Sequence, residues 1–310
     1  NLSLHGKLSD DQLEIVNNGG ILVDDGKIKA VGDFETLRSV ILSGSEESQI
    51  EFTEGEQICL PAFTDSHTHI CFGGNRANDF AMRNAGKTYL EIAETGGGIW
   101  SSVQHTRLAN EEELLKTTLE RINFLISQGI TTIEIKSGYG LDVENELKML
   151  HIIKKAQTFT KATLVPTCLS AHLKPRDFEG SSQEYLNYIL EEILPKVKAE
   201  NLAKRVDIFI EKSAFLPKES KDFLLKVKEL GFEITVHADQ FTSGSSRIAV
   251  EVGAKSADHL EATIDEDIAF LAKSETVATA LPGASLGLGE KFTPARKILD
   301  AGGILAIASD

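Results

Sequence analysis

The amino-acid sequence predicts a (β/α)8 barrel, a ring of eight parallel strands with a helix after each, preceded by a short β segment. From about residue 58 onward, eight short apolar runs alternate with helical stretches, which is the pattern of parallel βα units. The segment 61–310 spans 250 residues, close to the ~250 typical of the barrel. Polar residues recur where the apolar runs end, as in barrels that carry their chemistry at strand ends. This recurrence favours the barrel over its rival, a doubly wound sheet.

The first sixty residues have the pattern of β structure. Apolar residues 21–23 and 27–31 flank Asp24-Asp25-Gly26, and an Asp-Gly pair between two apolar strands is a hairpin signal. The alternation of runs begins near residue 58. We therefore expect two domains: residues 1–57 form part of a small β domain, and residues 58–310 form the barrel.

The elements of the predicted barrel follow in order. The strand candidates are 58–64, 131–136, 163–170, 205–210, 233–236, 256–258, 276–280 and 304–308. The helix candidates between them include 111–128, 143–158, 183–200, 218–230, 245–252, 265–273 and 294–301. Pro217 precedes one of these helices and Gly231 follows it, as expected at helix ends. The sequence stops at Asp310, directly after the eighth predicted strand. Because a barrel normally has a closing helix after that strand, we expect the natural protein to continue.

Composition and charge limit the partners. The formal net charge is -15, which argues against nucleic acid or an anionic membrane surface, because these need clustered Lys and Arg. No apolar run approaches the ~18–20 residues of a membrane span. The three cysteines, Cys59, Cys71 and Cys168, form no CxxC pair and leave an odd count. A reducing, cytoplasmic location fits best.

A histidine pair follows the first barrel strand. His67 and His69 are two residues apart, and residues i and i+2 of a strand face the same side. Both imidazoles would therefore point into the barrel, spaced to share one metal ion. Neutral imidazole is a good ligand for zinc or iron. The alternative for this motif taken alone is a surface histidine pair.

Other polar strand ends strengthen the metal interpretation. His237 and His259 end two later strands, and His172 lies just beyond the third. The predicted ligands of one metal per chain are His67, His69, His237 and Asp310. Three histidines and one carboxylate leave room for a water, whose pKa such a metal lowers toward ~7. Asp310 could take the proton of that water, and His259 could orient the attacking oxygen or stabilise an oxyanion.

Four further charged residues at strand ends leave alternatives open. Glu134 and Glu211 could each orient a ligand histidine, or each could be a structural carboxylate in a salt bridge. Lys136 and Lys212 raise the question of a second metal, because a carboxylated barrel lysine bridges two metals in some proteins of this fold. Lys212 stands roughly where such a lysine would come.

Motifs spread along the whole chain resemble a known family. The hairpin and then LPAFTDSHTH (60–69) resemble the opening of the amidohydrolase superfamily, in which a hairpin of a β-sandwich leads into the first barrel strand. Together with Tyr89, the stretches that resemble the imidazolonepropionase family are CFGGNR (71–76), TGGGI (95–99), EIKSGYGL (134–141), SAH (170–172), HADQ (237–240), SADHL (256–260) and AIASD (306–310).

The resemblance implies roles for individual residues. It implies the same four metal ligands and a bound zinc or iron ion, which is divalent or trivalent. It also implies an anionic substrate, 4-imidazolone-5-propanoate. The implied substrate contacts are Arg76, Tyr139, His172, Gln240 and Tyr89. Arg76 can hold the propionate with a two-pronged charge-assisted pair. The resemblance also implies a homodimer, and a β-sandwich formed by residues 1–57 with a C-terminal segment beyond Asp310.

One residue departs from part of the family. Some members carry Glu at the position of Gln240, where it has been considered a proton-transfer group. An amide cannot exchange protons in that way. The resemblance implies that Gln240 is one of the catalytic residues. We interpret its role as a hydrogen bond to the ring amide.

Two other functions compete with ring opening. A related deaminase would act on a purine or pyrimidine at the same metal site and release ammonia. A non-catalytic homologue would keep the fold and bind a metal without turnover. Arg76 and its glycine-rich surroundings favour an anionic substrate, and the intact ligand set argues against loss of activity.

Overall fold

The computed structural model describes residues 3–42 and 49–310 and divides the chain into two compact units. The first unit contains residues 8–61, and the second contains Leu4–Lys7 with Ala62–Asp310. No helix within the described residues is long and apolar enough to cross a membrane.

The first unit contains the predicted hairpin. Strands β1 (Gly19–Asp24) and β2 (Lys27–Asp33) pair antiparallel, with Asp24 opposite Lys27. Asp25 and Gly26 both have positive φ, at 49° and 67°, which is the two-residue turn that matches strand twist. Helix α1 (Phe34–Leu42) follows and was not predicted. The assignment of this segment to a β-sandwich stays a prediction.

The second unit is built on eight parallel strands. Their bounds are β3 (Phe63–Asp65), β4 (Ile130–Lys136), β5 (Thr163–Ala171), β6 (Arg205–Phe209), β7 (Glu233–Ala238), β8 (Ser256–His259), β9 (Val277–Ala280) and β10 (Leu305–Ile307). Each strand pairs with the next along the chain, in one sequential order. This order confirms the (β/α)8 barrel and excludes the doubly wound sheet, whose strand order reverses at a switch point.

Hydrogen bonds join the carboxyl ends of the first and last barrel strands, β3 and β10. The backbone N–H of Asp310 donates to the carbonyl of His67 at 2.9 Å. The Ser309 hydroxyl and N–H both donate to the Asp65 carboxylate, at 2.5 and 3.1 Å. The segments after β3 and β10 therefore meet, and the ring of strands is closed at the end where the site residues lie.

Helices separate the strands. Their bounds are α2 (Ala77–Asn84), α3 (Tyr89–Glu94), α4 (Gly98–Leu108), α5 (Glu111–Ser127), α6 (Val143–Ala156), α7 (Ser182–Tyr188), α8 (Leu194–Ala199), α9 (Pro217–Glu229), α10 (Ser245–Val252), α11 (Asp265–Leu271), α12 (Pro282–Leu288) and α13 (Ala295–Asp300). Those predicted from periodicity are present within a few residues. Helices α2–α4 and α12 were not predicted.

Two predicted elements differ in the structure. The predicted strand 58–64 is reduced to β3, because Pro61 has no N–H for a ladder, and Ile58 and Leu60 are exposed. The predicted helix 183–200 is divided between α7 and α8 by a π-helical turn, Ile189–Ile193. Pro195 cannot donate to the carbonyl four residues earlier, and the wider turn accommodates this loss.

The strands bury apolar residues on one face and polar residues on the other. Ile133, Ile135 and Ile208 belong to the apolar core that also contains Leu114 and Met149 of the surrounding helices. The alternate residues of β4 and β6 include Glu134, Lys136 and Asp207, all fully or almost fully buried. Since successive side chains of a strand point to opposite faces, these charged groups lie inside the barrel.

Candidate metal centre and substrate cavity

The barrel places the predicted site residues at the carboxyl ends of its strands. His67 and His69 follow β3, His172 directly follows β5, and Asp310 comes three residues after β10. His237 lies within β7, and His259 is the last residue of β8. Parallel strands of one barrel end at one rim, so residues far apart in the sequence lie together.

Possible ligand atoms from three strand ends lie around Nε2 of His69. The Nε2 atom of His69 is 3.3 Å from Nε2 of His67 and 3.2 Å from Nε2 of His237. The Oδ1 atom of Asp310 is 3.3 Å from Nε2 of His69 and 3.6 Å from Nε2 of His67. His259 also presents a ring nitrogen within 4.8 Å of those of His67 and His237.

These donor atoms fit a cation. Burial lowers the pKa of His67 and of His69 well below the ordinary histidine value, and neighbouring positive groups, Lys136 among them, add to the shift. Both rings are therefore neutral. Nδ1 of His67 lies 2.7 Å from Asp258 Oδ2. Because a carboxylate accepts, Nδ1 carries the proton and Nε2 turns a lone pair toward the other donors. Converging lone pairs and a carboxylate are what a metal ion requires.

Two aspartates stand behind the ligand imidazoles. Asp258 Oδ2 accepts from Nδ1 of His67, and Asp207 Oδ2 lies 3.1 Å from Nδ1 of His237. Carboxylates in this position fix the tautomer and ring orientation of a metal-binding histidine. The residues predicted for this role were Glu134 and Glu211, and neither aspartate was predicted. The signal for Asp207 was available, because it is a charged residue between the apolar residues Val206 and Ile208 of β6.

The surroundings of Lys136 and Lys212 do not match those of a carboxylated lysine that bridges two metals. Nζ of Lys136 lies 2.7 Å from Asp207 Oδ2 and 2.8 Å from Glu134 Oε2. An ammonium satisfies these carboxylates, whereas an anionic carbamate in its place would repel them. The side chain of Lys212 is exposed and is not among the residues that line the cavity.

A cavity of about 350 Å³ opens over the converging donors. Its walls include His69, His237 and Asp310, and also Arg76. Nε of Arg76 donates to the Ser102 hydroxyl at 2.8 Å, and Nη1 lies 3.7 Å from Asp79 Oδ2. These contacts hold the guanidinium of Arg76 at the cavity wall.

Arg83, which was not predicted as a site residue, brings a second guanidinium to the cavity. Its Nη1 donates to the carbonyl of Gly287 at 2.8 Å. Arg83 lies in α2, seven residues and about two turns after Arg76, which is the N-cap residue of this helix. That spacing is a signal in the sequence, although it becomes visible only once α2 is recognised as a helix.

His172 and Tyr139 are held together by one loop. Their ring centroids are 5.4 Å apart, and Nδ1 of His172 donates to the carbonyl of Gly138 at 3.0 Å. Burial holds the pKa of His172 down to about 3. The neighbouring His237 lowers this pKa further, and the hydrogen bond to Gly138 opposes the shift. His172 is therefore neutral, and its Nε2 is an acceptor. Glu146 fixes the loop by accepting from the N–H groups of Gly138, Gly140 and Leu141 at 3.0, 2.8 and 2.9 Å.

Gln240 lines the cavity beside a loop that Glu211 secures. The Glu211 carboxylate accepts from the N–H groups of Phe241 and Thr242, at 3.1 and 2.9 Å, and from the Thr242 hydroxyl at 2.7 Å. Glu211 thus acts on the loop after Gln240. Tyr89 begins α3, and its side chain lies outside the described part of the structure.

His259 differs electrostatically from the other histidines. Burial disfavours its charged form, but the carboxylates of Glu261 and Asp310 outweigh burial, so the pKa of His259 is raised above the ordinary value. Nδ1 of His259 lies 3.7 Å from Glu261 Oε2. His259 also has a φ of 82°, a left-handed backbone that costs about 1–3 kcal/mol in a non-glycine residue and is common at functional sites.

Comparison with known proteins extends over nearly the whole chain. An imidazolonepropionase of Clostridium tetani is 41% identical over 309 residues, which cover 98% of this chain and 73% of that protein. An imidazolonepropionase of Fusobacterium nucleatum is 40% identical over 302 residues, covering 97% and 72%. A family profile described as an imidazolonepropionase-like composite domain of bacteria matches residues 19–39.

Solved structures agree on the architecture. A guanine deaminase from C. acetobutylicum superimposes with a TM-score of 0.69 at 18% identity, covering 99% of this chain and 72% of that one. A triazine hydrolase variant gives a TM-score of 0.72 at 18% identity, covering 97% and 68%. At this identity the likeness concerns the fold alone.

The barrel and the relatives together define a metal-dependent hydrolase of the amidohydrolase class. Within that class, sequence identity of about 40% over almost the full chain shows the family. The chain belongs to the imidazolonepropionase family.

Proposed function

We propose that this chain hydrolyses the ring amide of 4-imidazolone-5-propanoate to N-formimidoyl-L-glutamate. The observation that carries the proposal is the convergence of three imidazole nitrogens and the Asp310 carboxylate in a cavity that Arg76 also lines. Such a cavity offers a cation site for the reacting amide and a cationic side chain for the propionate. Family membership supports the choice of substrate.

The proposed metal ligands are His67, His69, His237 and Asp310, holding one zinc or iron ion per chain. When bound, the metal lowers the pKa of a water and polarises the amide carbonyl. The protein supplies the geometry. Asp258 and Asp207 hold two of the imidazoles with their Nε2 atoms inward, so the site is formed before substrate arrives.

The cavity residues orient the substrate. Arg76 forms a two-pronged pair with the propionate, in which the planar guanidinium matches the carboxylate. His172 is restricted to accepting at Nε2, because Nδ1 donates to Gly138. It therefore receives a ring N–H. Gln240 can donate to and accept from the ring amide, and Tyr139 contributes its ring and hydroxyl beside His172.

Proton movement is assigned to Asp310 and His259. Water adds its oxygen to the ring carbonyl carbon, and Asp310 accepts the proton that this water releases. His259, whose Nδ1 lies 3.7 Å from the Glu261 carboxylate, donates a hydrogen bond to the carbonyl oxygen as negative charge develops there. The carbon–nitrogen bond then breaks, and Asp310 delivers its proton to the departing ring nitrogen. The carbon is left as a carboxylic acid, which releases its remaining proton to solvent and becomes a carboxylate.

The direct test is turnover by the full-length protein. Freshly prepared imidazolonepropionate should lose its ultraviolet absorbance much faster with metal-loaded protein than in buffer, and formimidoylglutamate should accumulate in equal amount. Ammonia release from guanine or cytosine, without decay of the imidazolone, would point to a deaminase. No turnover of any of these compounds by metal-loaded protein would favour a non-catalytic homologue.

Replacing Arg76 with lysine should raise KM for imidazolonepropionate at least tenfold and change kcat much less. A lysine keeps the charge but loses the planar fork, and a lost hydrogen bond to a charged group costs about 1.5–3 kcal/mol, where 1.4 kcal/mol is roughly tenfold. Steady-state kinetics on both proteins measures the effect.

The control for this variant is Arg205→Lys. Arg205 pairs with Glu233 at the start of β6 and β7, at the opposite end of the barrel from the cavity, so KM should stay unchanged. An imidazolone without the carboxylate tail should be an equally poor substrate for wild type and Arg76→Lys. If Arg76→Lys impairs that compound as strongly as the natural one, Arg76 does not bind the propionate.

We also propose a cytoplasmic enzyme that works as a homodimer, with residues 1–57 contributing to a β-sandwich. The support is the resemblance to the family, together with three free cysteines, which fit a reducing compartment. Sedimentation velocity of the full-length protein tests the dimer, and a monomer at micromolar concentration would exclude it.

A further inference from the structure

A buried cluster of one cation and three carboxylates lies inside the barrel. The Lys136 side chain is fully buried. Its Nζ atom is 2.7 Å from Asp207 Oδ2, 2.8 Å from Glu134 Oε2 and 3.8 Å from Asp258 Oδ2. Burying charges is costly unless they are paired, so a cluster of this kind calls for a reason beyond stability.

Two of the three carboxylates also face histidines of the donor group. Asp258 Oδ2 is 2.7 Å from Nδ1 of His67, and Asp207 Oδ2 is 3.1 Å from Nδ1 of His237. In both cases the oxygen nearest to the imidazole is also the oxygen nearest to Lys136. The ammonium therefore lies one contact behind two imidazoles that come from different strands.

The third carboxylate has a different role. Glu134 pairs with Lys136, and its Oε1 accepts from the Thr167 hydroxyl at 2.5 Å. No contact with a histidine of the donor group is found for Glu134 among the described residues. The cluster thus contains two carboxylates that connect Lys136 to the donors and one that only balances its charge.

We propose that Lys136 is a positioning residue of the metal site, which fixes His67 and His237 through Asp258 and Asp207 and thereby sets the affinity for the metal. The inference rests on the proposed metal ligands. A single ammonium in contact with both aspartates couples the two ring orientations, so one residue of β4 aligns ligands that follow β3 and lie in β7.

The test measures metal affinity rather than turnover. Metal-free wild type and Lys136→Met are titrated with zinc in competition with a chromophoric chelator. Loss of partners behind a ligand typically weakens metal binding about 10- to 100-fold, and we expect a loss in this range. Cobalt-substituted protein gives a second readout, because a loosened imidazole changes the visible absorption of the ion.

Two further variants separate positioning from folding. Lys136→Met leaves three buried carboxylates without a counterion, so it is also made with Glu134→Gln, which removes the one carboxylate that does not face a donor histidine. The double variant should recover thermal stability relative to Lys136→Met and still bind zinc 10- to 100-fold more weakly than wild type. Glu134→Gln alone should bind zinc nearly as wild type does.

The matched control is Lys148→Met. Nζ of Lys148 donates to the carbonyls of Thr106, Arg107 and Ala109 at 3.1, 3.0 and 3.2 Å, in a role remote from the donors. This variant should lose stability and keep its zinc affinity. Wild-type zinc affinity in the double variant would overturn the inference and leave the proposed function intact.

Failure of wild type to bind zinc or iron would instead overturn the metal site itself. Should neither Lys136 variant fold, Asp258→Asn replaces them, because it keeps Lys136 paired with Glu134 and Asp207 and breaks the connection from Lys136 through Asp258 to His67. The same 10- to 100-fold loss is expected there, and an unchanged zinc affinity would overturn the inference.

Discussion

Removing the metal from the full-length protein should abolish hydrolysis of imidazolonepropionate, and adding back zinc or iron should restore it. Uncharged water at neutral pH is a poor nucleophile, and a metal lowers its pKa from 15.7 to about 7. Since enzymes exceed the uncatalysed rate by about 10⁶-fold or more, we expect kcat to fall by at least ~10³-fold. The measurement is activity after dialysis against a chelator and after reconstitution, with elemental analysis giving one metal per chain.

A pair of histidine variants provides the control for metal removal. His69 lies at the centre of the donor group, 3.2 and 3.3 Å from the other two imidazoles, so His69→Ala should purify with little metal and little activity. His151 is exposed and pairs with Glu200, so His151→Ala should keep both. Full activity in protein that elemental analysis shows to be free of metal would refute the proposed mechanism.

Asp310→Asn should lower kcat by about 10²- to 10⁴-fold, the range that general acid–base groups contribute, even where metal remains bound. An asparagine oxygen can still approach the donors, but an amide cannot accept the proton of the attacking water and return it to the leaving nitrogen. Metal content and kcat are measured on the same preparation, so that loss of metal and loss of proton transfer are separated.

The control for this variant is Asp300→Asn. Asp300 ends α13, is exposed and pairs with Arg296, and its replacement should leave kcat unchanged. If Asp310→Asn with a full metal complement retains a kcat near that of wild type, Asp310 has no part in proton transfer. If kcat falls only in proportion to lost metal, Asp310 is a ligand and nothing more.

The sequence predicted those structural features that are determined by residues close together in the chain. The turn at Asp25 and Gly26 requires positive φ at two successive residues, and an Asp-Gly pair permits it. Strands and most helices followed from the period of their apolar residues. Where these local signals were weak, prediction failed, as it did for α4. This helix begins at Gly98, whose N–H donates to Asp79 Oδ2 at 2.8 Å. The acceptor is 19 residues away in the chain and takes the place of a local helix cap.

Strand order and register decided what lies behind the donor histidines. His237 is in register with Phe209 of β6 and with Asp258 of β8. The sequence alone could place His67, His237 and His259 at strand ends, since each follows or ends its own predicted strand. Contacts of Lys136 with Asp207 and Asp258 depend on three strands closing into one ring, and nothing in the sequence near any of these residues encodes that distance. Local periodicity therefore determined the elements and the rim, and only barrel closure determined the charge cluster that holds the metal ligands in place.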